Sequence, residues 1–130
     1  ANVDFMAGGT SIPRIRAASE ELEALRIRES DLRARIALQV KDSMQTFLRN
    51  RAEYASRKAQ RSAAERAVYL DRQRYFQGKT TLSDLLDAEL LLRDRTQEAE
   101  RARISVMRSF AYYLLVTGQE PGLVIERIRD

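Results

Sequence analysis

From Arg14 to Gln77 the chain contains neither glycine nor proline, and few folds accommodate so long a stretch without a breaker. Over its first half, apolar residues recur at Ile15, Leu22, Leu25, Leu32, Ile36, Val40, Met44 and Phe47. They lie mostly three, four or seven apart, the period of one face of an α-helix. Beyond Phe47 the stripe turns to alanine, at Ala52, Ala55, Ala59, Ala63 and Ala67. Thr10 or Ser11 can cap such a helix, and Pro13 suits its first turn, where a missing N–H costs nothing. An unbroken helix over 13–77 would be about 95 Å long at 1.5 Å per residue. That is well past ordinary globular length.

Gly78 stands where a chain leaving a helix needs positive φ. Thr81-Leu82-Ser83-Asp84 then has the form of a capping box, with Asp in place of the usual Glu. The pattern predicts a turn at 78–80 and a second helix over 82–117. That helix repeats every seven residues at Leu85, Leu92, Ala99, Val106 and Tyr113. Its companion row, Ala88, Arg95, Ala102, Ser109 and Val116, is small or polar at several points. A seven-residue repeat favours a left-handed supercoil, and small residues on both arms predict close approach. The expected fold is all-α: one long antiparallel, coiled-coil-like helical hairpin over 10–118. Gly8 and Gly9 predict a strand remnant and turn over 1–9. Gly118, Pro121 and Gly122 end the pattern, leaving 119–130 as an unassigned tail. Each helix of a lone hairpin buries only one stripe, so the chain is expected to belong to something larger or to self-associate.

Composition narrows the function. There is no histidine and no cysteine, which excludes a His-based general base, disulfides and thiol metal sites. No phosphate-binding glycine loop and no nucleophile beside a base are present, so neither an enzyme nor a cofactor is expected. The chain shows no leader and no 18-residue apolar run, so no membrane span is expected in this segment. The formal charge of +4 comes mostly from arginine. From Arg49 to Arg74 there are eight basic and three acidic residues; from Leu82 to Met107 there are four basic and six acidic. Those stretches oppose each other across a reversal at Gly78, so the charge reads as pairing between helices. Aromatic residues do not interleave with the basic run, and no nucleic-acid partner is expected.

The order of these features resembles the TolC-like outer-membrane efflux proteins. The match lies in the Gly-Gly before a very long helix, the Tyr-x-x-Gly turn from Tyr75 to Gly78, and Thr-x-x-Asp-Leu-Leu-Asp-Ala from Thr81 to Ala88. Leu-x-x-x-Gly from Leu114 to Gly118 completes it. The resemblance covers nearly all of 3–118 and would make this chain the second of two repeats, without the first repeat and most barrel strands. It implies a homotrimer with an outer-membrane β-barrel and a periplasmic helical tunnel. An inner-membrane pump or secretion transporter, joined by a periplasmic adaptor, would feed that tunnel. The hairpin would then lie in the periplasm, touching the membrane only through the missing strands, and would conduct passively with a gate at its tip.

The resemblance also assigns roles. Asp84 and Asp87, three apart on one helical face, match an acidic ring that would line the gate and attract cations. Equally, acids in a helix's first turn complement the macrodipole, and this suits Asp84 as the capping-box residue. Tyr75 matches an aromatic that holds the closed tip, or simply packs at a helix end. Gly78, Lys79, Thr80, Thr81 and Leu82 form the tip where an adaptor would dock, although turn chemistry alone explains the Gly and Thr residues. Two alternatives stay open. Arg72, Phe76 and Ser83 imitate the tip pattern of periplasmic adaptor hairpins, and the periodicity alone would suit a cytosolic antiparallel coiled-coil scaffold.

Overall fold

The computed structural model describes residues 7–119, with side chains from Ser11 onward, and everything regular in that range is helical. Helix α1 runs over Ala7–Phe76 and α2 over Leu82–Val116. The start of α1 corrects the sequence expectation: the predicted strand remnant and turn are helical from Ala7 on, and residues 1–6 lie outside the described range. Pro13 therefore sits inside the helix, where it forfeits one rung of the hydrogen-bond ladder. Of the tail, only Gln119 is described.

The chain divides into two units, Ala1–Gln39 and Val40–Asp130. In the first, every described side chain from Ser11 to Ser30 and on to Gln39 is exposed, including Ile15, Leu22, Leu25, Leu32 and Ile36. It is a helix whose apolar row has no neighbour within the unit.

The second unit is the hairpin. On α1, residues alternately three and four apart are buried or half-buried: Val40, Ser43, Phe47, Asn50, Tyr54, Arg57, Arg61, Ala64, Val68 and Asp71. On α2 the same rhythm gives Leu85, Ala88, Leu92, Arg95, Ala99, Ala102, Val106, Ser109, Tyr113 and Val116. Both are heptad seams. The α2 seam is the pair of rows read from the sequence.

The α1 seam is not. Ala52, Ala55, Ala59, Ala63 and Ala67 all face outward. The phase that buries Phe47 and Val68 leaves no alternative: a seven-residue rhythm through both also passes through Tyr54 and Arg61. Sequestering a large apolar side chain is worth about 1.5–3 kcal/mol, far more than an alanine methyl offers. Close approach thus rests on Ala64 of α1 and on Ala99 and Ala102 of α2, all almost fully buried.

The seam is thin and partly polar. Phe47 and Phe110 meet with ring centroids 5.3 Å apart near the end of α2, and the Asn50 amide donates to the Ser105 carbonyl. Midway, Glu98 accepts from Arg57 at 3.0 Å and Arg95 at 2.8 Å. Arg61 reaches Glu100, and Arg72 pairs with Glu89 at 2.8 Å. These bridges realise the charge complementarity of the two arms, but each is partly solvated, so solvent screening leaves it little to add to stability. Ser43 and Ser109 are buried without penalty, because each hydroxyl donates to a carbonyl three residues back.

Candidate functional site

The candidate site is the hairpin tip, and its shape follows from two local devices. The first stops α1. Gly78 takes φ +70°, its N–H donates to the Tyr75 carbonyl, and the Lys79 N–H donates to the Arg74 carbonyl. That is a Schellman turn, which satisfies carbonyls the helix end would otherwise leave orphaned. A Cβ on Gly78 would meet nothing, so the glycine is required by backbone conformation alone. The same device ends α2, with Gly118 at φ +71° and Gln119 donating to Leu114.

The second device starts α2. The Thr81 hydroxyl accepts from the Asp84 N–H at 3.2 Å. In return, one oxygen of the Asp84 carboxylate, Oδ2, accepts from the Thr81 N–H, the Thr81 hydroxyl and the Thr80 hydroxyl. The capping box predicted over Thr81–Asp84 is therefore complete. Bonds from Thr81, first through its side chain and then its backbone, and then from Thr80, hold the Asp84 carboxyl below the ordinary aspartate range.

The two aspartates are thus chemically distinct. Asp84 is occupied by the turn, whereas Asp87 is exposed and makes no hydrogen bond or ion pair among the described residues. Nothing brings the two carboxylates into contact. Tyr75 packs its ring edge-on against Phe76, with centroids 6.0 Å apart. Phe76 is 81% exposed, Leu82 is 52% exposed, and Lys79 projects into solvent. Of the residues imitating an adaptor tip, Phe76 touches only Tyr75 among the described rings and is otherwise exposed, and Arg72 pairs with Glu89.

Behind the tip, sequence reasoning took the alanine row of α1 for the packed face and passed over the outer row of α2. Each arm carries a second row that the hairpin leaves uncovered. On α1 it is the alanine row, flanked by exposed Leu48 and Leu70; on α2 it is Leu86, Leu90, Ile104 and Met107. The signal was available, since these residues also recur at helical spacing, but it is legible only once the first seam is assigned.

Among the described residues, no group of acidic side chains could hold a metal ion, and no helix is long and apolar enough to cross a membrane. No protein-family model, curated protein or solved structure matches the chain.

Proposed function

We propose that this chain forms part of the periplasmic tunnel wall of a TolC-like outer-membrane channel, a passive conduit for substrates handed over by an inner-membrane transporter. The observation that carries this reading is the second uncovered row on each helix. A free-standing two-helix coil needs one seam per helix, whereas a helix in a closed wall has two neighbours and needs two. The tip adds to the case. Its order of Tyr75, Gly78, Thr81, Asp84, Asp87 and Ala88 is that of the family it resembles. A homotrimer would set three copies of each tip around one axis.

In this reading the aspartates divide the work. Asp84 shapes the turn, and Asp87, with its carboxylate free, lines the constriction and favours cations. Tyr75 with Phe76 packs the tip against neighbouring coils. The exposed turn Gly78–Leu82 meets the adaptor, with Leu82 as its apolar contact. In the rival assignment, an adaptor hairpin, Arg72 would exchange its solvent-exposed bridge to Glu89 for a partner contact.

Planar-bilayer conductance of the intact channel bearing this hairpin tests the proposal. Asp87→Asn should lower cation preference and relieve block by multivalent cations. Asp84→Asn should act mainly through the tip's stability. Unchanged selectivity in Asp87→Asn would overturn the gate assignment, and a folded preparation without discrete conductance would overturn the channel.

A further inference from the structure

One side of α2 carries charges that neither the seam nor the outer row uses. Asp87, Asp94, Arg101 and Arg108 recur every seven residues, so they share one side of the helix, and all four are exposed. This column lies between the seam rows and the uncovered row of Leu86, Leu90, Ile104 and Met107. None of its four side chains has a hydrogen bond or ion pair among the described residues. A shallow groove of about 300 Å³ shows which flank of the hairpin the column belongs to, since Arg101 lines it with Glu53, Arg57, Glu98 and Ser105. The acids of that groove are already taken: Glu98 accepts from Arg57 and Arg95, and Glu53 pairs with Arg57. Arg101 therefore stays an uncompensated cation. Arg103, two residues on and across the helix, is instead bridged to Glu100.

We propose that Arg101 and Arg108 form an anion-binding zone of the conduit, set directly behind its cation-favouring constriction. The inference rests on the tunnel reading and deepens it. A wall helix meets one neighbour through its seam and another through its outer row, so a column between the two faces either the lumen or the exterior. Asp87 is the lumen-lining residue of that reading, and the seven-residue repeat puts Asp94, Arg101 and Arg108 on the same side. At 1.5 Å per residue, successive members stand about 10 Å apart, so the sign of the lining reverses between Asp94 and Arg101. A guanidinium is always charged, and its planar fork suits carboxylate and phosphate groups. With no acid to occupy them, the forks of Arg101 and Arg108 are open to such groups on a passing molecule. The zone retains carboxylate- or phosphate-bearing cargo that an acidic constriction alone would repel.

Planar-bilayer recording of the intact channel bearing this hairpin tests the zone, with ferrocyanide as the anionic probe and, in separate runs, lanthanum as the cationic one. Ferrocyanide added on the side away from the tip should block the natural channel. Arg101→Gln with Arg108→Gln should raise its half-blocking concentration by about tenfold or more, without weakening the lanthanum block. Arg101→Lys with Arg108→Lys keeps the charge and should retain part of the ferrocyanide block. Arg103→Gln, on the other side of the helix, is the matched control and should change neither block. Circular dichroism checks that the helices survive, as the exposure of these sites predicts. Suppose cation preference depends on Asp87, yet ferrocyanide does not block, or blocks the double Gln variant as it does the natural channel. That result overturns the anion zone and leaves the tunnel reading standing. An equal effect of Arg103→Gln overturns the zone as well, since it would reduce the block to unspecific charge. A folded preparation without conductance overturns both readings.

Discussion

Alanine at Gly78 probes the reversal at its most constrained point. The residue sits at φ +70° with no atom near its missing Cβ, so the substitution clashes with nothing outside its own backbone. What it adds is the left-handed penalty of an L-residue, about 1–2 kcal/mol. Against that, alanine restricts the unfolded chain and returns about 0.4–1 kcal/mol. The net loss is about 1 kcal/mol, which in a hairpin of this size lowers the thermal midpoint by about 4–8 °C. Asparagine tolerates the left-handed region better than alanine and should recover part of the loss. Gly118→Ala carries the same local strain at the end of α2 and serves as the matched control. The assay is thermal unfolding followed by far-UV circular dichroism at one fixed chain concentration, since association would shift the midpoint. A Gly78→Ala midpoint equal to or above that of the natural chain, or below that of Gly78→Asn by nothing measurable, would refute the Schellman reading.

Three further outcomes follow from the packing and the turn. Ala64→Leu forces a large side chain into the seam and should cost about 1–3 kcal/mol in urea unfolding, whereas Ala59→Leu, on the outer row, should leave a monomeric hairpin nearly unchanged. Phe47→Ala removes a half-buried ring in tilted contact with Phe110 and should cost about 2 kcal/mol, short of the 3–5 expected for full burial. Acidification should destabilise the chain, because Asp84, through its Thr81 and Thr80 bonds, and Glu98, through Arg95 first, both titrate below their ordinary ranges when folded. Their contribution is present above the unfolded carboxylate pKa and is lost as pH falls through the folded one. The urea midpoint should therefore drop in that acidic window, and Asp84→Asn should flatten part of the drop.

Much of the tip was legible in the sequence because its chemistry is local. A glycine with positive φ and a threonine three residues before an aspartate determine their own hydrogen bonds within one turn of chain. The α2 seam was legible for a related reason: Leu85, Leu92, Val106 and Tyr113 mark one row with large side chains at an unbroken interval. The first half of α1 was misleading at its start. Glycine pairs usually break helices, yet Ala7–Thr10 continue one. The individual roles of Asp84 and Asp87 were not separable by spacing, because three residues apart means one face whatever each carboxylate does.

What the sequence determined by itself was therefore the helical class, the point of reversal and the buried face of α2. The buried face of α1 was decided only in tertiary structure. Between Arg49 and Ala67 that helix offers alanines on one side and tyrosine, asparagine and arginines on the other, and composition favours burying the alanines. The choice is made instead at distant points, where Phe47 meets Phe110 and Val68 is enclosed. A rigid helix carries that phase through the intervening turns. Arg57 and Arg61 follow into the seam, where Glu98 and Glu100 on the opposite arm receive them.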